Sequence, residues 1–226
     1  MKILSIDACT ETISIALIVG NIITEKNFPS GKNYSGNILQ EIKILLNESN
    51  LKIENIEGIA FGAGPGSFTG IRVACGIAYG LAYANNLPII GVNTLEALAF
   101  LSQHENSISC IDARMGQVYL GIYQNRNDVI TPLVDPGLFN PNELPDQPKI
   151  KKAIVIGSGL SSYKEQFKSQ YADIELEYFE GKCKLASAIG ILSIGQFGNE
   201  FNLKNATPIY IRNKVALTEK ERLNQQ

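Results

Sequence analysis

The chain has no tryptophan, two methionines and a single histidine, His104, among 226 residues. One histidine excludes any metal centre built on a pair of imidazoles. Cys9, Cys75, Cys110 and Cys183 form no CxxC pair. Neither a zinc site nor a disulfide framework is therefore expected, and reduced, mostly buried thiols fit better. An excess of either charge is also lacking: 20 Lys and Arg face 22 Asp and Glu, for a net charge of −2. That balance excludes a global basic field. The local basic groups, Lys149-Lys151-Lys152 and Lys182-Lys184, are small, so RNA contact by the chain alone should be weak and salt-sensitive. The N-terminal apolar run is interrupted by Asp7 and Glu11. It reads as neither a signal peptide nor a membrane span, and a cytoplasmic location is expected.

Hydrophobic residues make up 45% of the chain, enough for one large or two small domains to fold without staples. ISIALIV at 13–19 is nearly continuous in apolar residues, as in a central strand. Gly20-Asn21 is a hairpin turn signal, with a return strand over 22–28. Residues 35–49 carry Ile38, Leu39, Ile42, Leu45 and Leu46 at helical spacing. A buried strand over 58–61, a strand over 88–92 and a helix capped by Thr94 and running to Ser102 complete the first half.

The second half repeats the first. Ile6-Asp7-Ala8 lies on Ile111-Asp112-Ala113, and Phe61-Gly62-Ala63-Gly64 lies on Ile156-Gly157-Ser158-Gly159 in the same order. Two matched units of roughly 100 residues are expected, each a hairpin followed by strand–GxG–helix. The units should cover 1–104 and 105–216, with the last helix returning to the first unit and a polar tail, 217–226, that frays. A duplicated, hairpin-led α/β unit is the plan of the actin-like ATPase (ribonuclease H-like) fold, an analogy that leaves function open.

GAGPGSFTGIR at 62–72 looks like a phosphate loop but lacks the Walker Gly-Lys-Ser/Thr and fails GxGxxG. Ser67 suits the N-cap of a helix over 67–86, and helix initiation is the expected role, although the first free amides could also hold an anion. In that helix only Arg72 is charged before Asn85. Ile71, Cys75, Ala78 and Ala82 fall on one face, with Val73, Gly76, Gly80 and Ala84 roughly opposite. A helix apolar all round must be covered all round. Gly76 and Gly80 weaken it by about 1 kcal/mol each relative to Ala. Close approach of another backbone would account for them, either within the chain or from a partner.

The blocks SIDACTETISIAL, GAGPGSFTGIRVACGIAYGLAY, IDARMGQVYLGIY and PIYIRNKVA resemble, in order and spacing, those of the TsaB (YeaZ) family of bacterial tRNA threonylcarbamoyladenosine biosynthesis proteins. The similarity spans Met1 to about Ala216. It implies an actin-like fold and a non-catalytic scaffold for its paralogue TsaD. TsaD threonylcarbamoylates the adenosine beside the anticodon in tRNAs that read codons beginning with A. The resemblance implies a heterodimer with TsaD, joined by the ATPase TsaE, contact with tRNA only through the complex, and a homodimer when alone. No transferase or protease activity is expected. The metal-binding HxxxH pair of TsaD-like enzymes falls here on Tyr34 and Ile38, so no catalytic or metal-ligating residues are assigned. Actin-like enzymes favour Asp-x-Gly-Thr at the first hairpin tip, where this chain has Asp7-Ala8-Cys9-Thr10. Cys9 places a side chain where phosphate would approach. Asp7, Thr10, Asp112, Gly157 and Gly159 remain candidate contacts of a degraded nucleotide site. No cofactor is expected beyond weak ATP or ADP binding, in the complex if anywhere. Arg114 could pair with a phosphate or with Asp112, and the pairing with Asp112 is expected. The candidate partner face is Ile38, Ile42, Leu45, Val73, Gly76, Ile77, Gly80 and Ala84. A rival reading is an ATP-dependent small-molecule kinase or acyl transferase of the same fold.

Overall fold

The computed structural model describes residues 1–29, 37–197, 202 and 206–212. Tyr34 and the tail 217–226 lie outside these. The first sheet has the order β3-β2-β1-β4-β5, from β1 (Lys2–Asp7), β2 (Thr12–Val19), β3 (Ile22–Pro29), β4 (Gly58–Gly64) and β5 (Ile89–Asn93). β1 is antiparallel to β2 and parallel to β4, with Asp7 opposite Ser14 and Ile6 beside Phe61. Gly20, at φ +60°, makes the expected hairpin turn between β2 and β3.

The second sheet mirrors that plan. Its order is β10-β9-β6-β7-β8, from β6 (Asn106–Arg114), β7 (Gln117–Arg126), β8 (Val129–Phe139), β9 (Lys152–Ile156) and β10 (Glu175–Tyr178). In each copy a helix joins the two parallel crossover strands. α2 (Phe68–Asn85) joins β4 to β5, and α4 (Gly159–Gln170) joins β9 to β10. The duplicated hairpin and strand–GxG–helix are thus both present. The copies differ before the first crossover strand. α1 (Ile38–Glu48) and a short 3-10 turn (Ile53–Asn55) precede β4, whereas no helix stands between β8 and β9.

The helix expected over 35–49 is confined, among the described residues, to Ile38–Glu48. The helix after β5, α3 (Thr94–Ser102), is capped by Asn93 and not by Thr94. The Asn93 side chain accepts from the amide of Leu95 at 2.9 Å, as an Asn cap does from N2.

The two domains exchange helices. α3 follows the first sheet but packs on β6 and β7 of the second. α5 (Ala186–Ser193) follows the second sheet and packs on β1, β2 and β4 of the first. The hydroxyl of Ser14 accepts from the amides of Leu185 and Ala186, and that of Ser5 donates to the Ala186 carbonyl at 2.6 Å. These bonds satisfy backbone groups at the start of α5, which would otherwise be buried without partners. α3 and α5 share one apolar core between the sheets, with Ile3, Ile18, Ile90, Ile111 and Ile156. A second core lies beneath α1 and α2, and a third beneath α4.

Candidate functional site

The ends of β1 and β4 in one sheet and of β6 and β9 in the other converge on a cleft of about 630 Å³. Its walls include both hairpin tips (Cys9 to Glu11 and Asp112 to Met115), the start of α2 and Ile209 to Arg212. A second hollow of about 550 Å³ shares Thr10, Glu11 and Ser158 with it, and is lined further by Gly157, Phe179, Lys182 and Lys184.

The five candidate nucleotide contacts do not form one set. Asp7 is fully buried and lines neither hollow. Its Oδ1 accepts from the Cys9 amide at 3.2 Å, while Oδ2 has no hydrogen-bond partner among the described residues. Burial pushes its carboxyl up to about 6, against the smaller opposing effect of the hydrogen bond from Cys9. Thr10 faces both hollows, with its hydroxyl donating to the Thr12 carbonyl. Asp112 stands partly open and holds Arg114 twice, at the amide (2.8 Å) and at Nη1 (3.2 Å). The expected Asp112–Arg114 pairing is thus present.

Gly157, at φ +116°, lies against the carbonyl of Cys110, and a Cβ on Gly159 would stand 3.0 Å from Val118 Cγ2. Both glycines serve strand–helix packing, although Gly157 also lines the second hollow. Cys9 lines the cleft at the first hairpin tip. Its thiol is 1% exposed and donates to the Gly62 carbonyl at 3.1 Å. Burial, then the neighbouring Asp7 charge, pushes that thiol up, which leaves it a poor nucleophile.

The loop over 62–72 is shaped by that hairpin tip. The Ser67 amide donates to the Cys9 carbonyl at 2.8 Å, and the Ser67 hydroxyl accepts from the Gly70 amide at 3.2 Å. A side chain on Gly62 would meet Asp7 Oδ1, on Gly66 the Cys9 carbonyl, and on Gly70 the Ala8 carbonyl. Three of the loop's glycines therefore admit the hairpin tip, and Ser67 starts the helix as expected.

On α2 the inward residues are Ile71, Ala74, Ala78 and Ala82. Cys75, expected on that face, is only half-buried. The outward residues Arg72, Gly76, Gly80, Tyr83 and Ala84 are exposed, and Val73 and Ile77 are half-buried. A Cβ added at Gly76 or at Gly80 would meet nothing within 4 Å. The intramolecular close approach considered for these glycines is therefore absent among the described residues.

Three of the expected partner contacts are corrected. Ile38, Ile42 and Leu45 are 1%, 3% and 0% exposed and belong to the core beneath α1 and α2. An amphipathic stripe turns to the nearest apolar surface, which here is the chain's own sheet. The surface that α1 offers is Leu39, Gln40, Lys43, Asn47 and Glu48. Leu39, 54% exposed, joins Leu46, Leu51, Ile53 and Leu81 around an apolar hollow of about 310 Å³ beside α2.

His104, just past the end of α3, is held at both ring nitrogens. Nδ1 lies 2.6 Å from the Ser102 carbonyl and Nε2 lies 3.1 Å from Glu177. Among the described residues, no group of three or more His, Cys, Asp or Glu side chains is placed to hold a metal. No described helix is long and apolar enough to cross a membrane.

Sequence comparison identifies the lineage of this arrangement. The family model for TsaD, tRNA N6-adenosine threonylcarbamoyltransferase, matches residues 21–215. The tRNA threonylcarbamoyladenosine biosynthesis protein TsaB of Haemophilus influenzae is 31% identical over 95% of this chain and 95% of its own length. The chain belongs to the TsaB family. TsaB of Escherichia coli is likewise 31% identical, over 96% of both chains. YeaZ from Pseudomonas aeruginosa superposes with a TM-score of 0.79 at 24% identity, over 92% of this chain and 99% of its own. A second structure described as similar to that YeaZ reaches a TM-score of 0.80 at 26% identity, over 93% and 99%. The actin-like, two-domain fold and a role in tRNA threonylcarbamoyladenosine biosynthesis follow.

The segment 206–212 carries no local signal for its place: PIYIR belongs to one of the family motif blocks, and nothing in those residues says that they border the cleft.

Proposed function

We propose that the chain is the non-catalytic, cytoplasmic member of a threonylcarbamoyl transferase assembly, and that it docks TsaD through the outward ridge of α2. The observation that carries this reading is the open glycine pair. Gly76 and Gly80 weaken the helix, and no group of the described chain approaches the space they leave. A backbone from outside the chain can use that space, with Val73, Ile77 and Ala84 around it and the apolar hollow at Leu39 and Leu81 beside it. Ile38, Ile42 and Leu45 support this surface from beneath.

The same ridge serves a homodimer when TsaD is absent. TsaE joins the heterodimer, and tRNA contacts this chain only within the complex. The non-catalytic part of the reading draws on three features. The sequence has one histidine, and it is held at Ser102 and Glu177. The buried Cys9 thiol is held in its protonated form. The described residues contain no metal-ligand cluster. No cofactor is assigned; weak ATP or ADP binding would place the nucleotide against Thr10 and Asp112, away from the buried Asp7.

Gly80→Arg tests the interface. The variant should stay folded by circular dichroism and lose co-purification with TsaD. Unchanged affinity in a folded variant would move the interface elsewhere. Transfer by the pure chain, abolished by a point change in its cleft, would overturn the non-catalytic assignment.

A further inference from the structure

The segment 206–212 touches both domains, and its two ends are held in different ways. At the first-domain end, Ala206 is 5% exposed in the core beneath α2, and its carbonyl accepts from the Cys75 thiol at 3.5 Å. The Ile209 amide donates to the Ala63 carbonyl at the end of β4, at 2.7 Å. Tyr210 then lies over the first turns of α2. Its ring centroid is 6.1 Å from that of Phe68, and its hydroxyl accepts from Arg72 Nε at 3.4 Å. The Arg72 guanidinium in turn stacks 3.6 Å above the Phe68 ring. This end rests on backbone bonding, burial and a small aromatic–cation cluster.

At the second-domain end Ile211 packs against the core between the sheets, and the described hydrogen bonds come from one side chain. Arg212 Nη2 donates to Gln117 Oε1 at 2.7 Å and to the Arg114 carbonyl at 3.3 Å, and Nη1 lies 3.4 Å from Met115 Sδ. All three acceptors belong to the tip of the β6–β7 hairpin and all are neutral. Arg114 and Met115 hold left-handed backbone, at φ 63° and 55°, so this tip is a turn that few L-residues adopt without support. A guanidinium can reach several acceptors at once because its five N–H groups form a rigid fork.

We propose that residues 206–212 are a latch across the mouth of the cleft. The segment is fixed to the first domain at Ile209 and closed onto the second hairpin by Arg212, so that releasing this side chain removes the hydrogen bonds that hold the hairpin tip to the segment. The latch opens from the Arg212 end, because Ala206 is buried in the core beneath α2 and the Ile209 amide is bonded to the Ala63 carbonyl of β4. It also ties α2 to that hairpin. Phe68 and Arg72 carry the strap at one end of the helix, and Arg212 carries the hairpin at the other end of the strap. Neutral acceptors give the closed state little sensitivity to salt, unlike an exposed ion pair.

The test is hydrogen exchange on the full chain alone, so its outcome does not depend on any partner. In Arg212→Ala, amides 114–117 should exchange at least about tenfold faster, the loss expected for hydrogen bonds from a charged donor. Amides of β1 should keep their protection. Arg212→Lys should behave nearly as Arg212→Ala, since one ammonium cannot reproduce the fork. Tyr210→Ala should loosen the same tip by a smaller factor, and little further once Arg212 is already alanine. Unchanged exchange at 114–117 in Arg212→Ala overturns the latch. So does an equal rise in β1, which would make Arg212 a general stability residue. Full protection in Arg212→Lys also overturns it, because charge and not the three-acceptor geometry would then hold the tip.

Discussion

At the tip of the first hairpin Asp7 is sealed from water. At the tip of the second its counterpart Asp112 is partly open and held to Arg114. The two copies share strand order, hairpin and crossover helix, so the difference comes from what surrounds each tip. The first tip is packed from below by Gly62, Gly66 and Gly70, which bring the start of α2 against residues 7–9. The second tip projects, and Arg212 reaches it from the segment at the cleft mouth. The outer helices differ in the same sense. α2 carries one charge in 18 residues and an open glycine ridge, whereas α4 presents Lys164, Glu165 and Lys168 to solvent. One duplicated unit has therefore taken a closed tip and an apolar outer face, and the other an open tip and a polar face. Topology alone does not decide which copy presents an apolar outer face.

Substitutions can break this comparison, and the largest effect should come from the closed tip. Gly70→Ala places a methyl group on the Ala8 carbonyl and should destabilise the chain by about 3 kcal/mol or more, the range of severe backbone clashes. Denaturant unfolding measures this, and an unchanged midpoint would mean that the tip can retreat. Gly80→Ala, ten residues along the same helix, should act oppositely. It has open space and gains helix propensity, so the isolated chain should become more stable by about 1 kcal/mol.

Between these lies Asp7. Its folded carboxyl is raised from 3.8 to about 6 by burial, so the native state holds a proton that the unfolded chain releases. Stability should therefore fall as pH rises from about 4 to about 6 and stay level above. Asp7→Asn keeps an acceptor for the Cys9 amide and removes that slope. It should stabilise the protein at pH 7 by on the order of 2–3 kcal/mol, because each tenfold change in proton affinity between the folded and unfolded chain corresponds to roughly 1.4 kcal/mol. Melting temperature against pH for the two proteins decides it, and parallel curves would refute the assignment. The smallest effect belongs to the open tip. Asp112→Asn leaves an acceptor for the Arg114 amide and removes a partly exposed ion pair, so stability should change by less than about 1 kcal/mol.

Much of this architecture was legible in the sequence because it is written in local signals. The first hairpin shows a nearly continuous apolar strand followed by turn residues, and the duplication shows as the same short patterns in the same order. Ser67 was recognisable as a cap because its role depends on a residue three positions on. What a stripe packs against was not legible. Ile38, Ile42 and Leu45 have the spacing of a buried face whether the cover is the chain's own sheet or another protein. Asp7 and Asp112 look alike in sequence, and only the approach of residues more than fifty positions away buries the first and not the second. The latch was invisible for the same reason, since Arg212 and Gln117 meet only through the fold.

The exchange of α3 and α5 makes the two halves poor candidates for separate existence. A cut near residue 104 would leave each fragment holding the helix that the other needs, with the inner face of its own sheet bare. Two such fragments should be sticky alone and should complement each other when mixed, in the manner of a split reporter. The same exchange limits how the cleft can widen. A hinge that swung the sheets apart would have to tear α3 from β6 or α5 from β1, so motion at the cleft should belong to its tips and its strap while the body of the molecule turns as one piece.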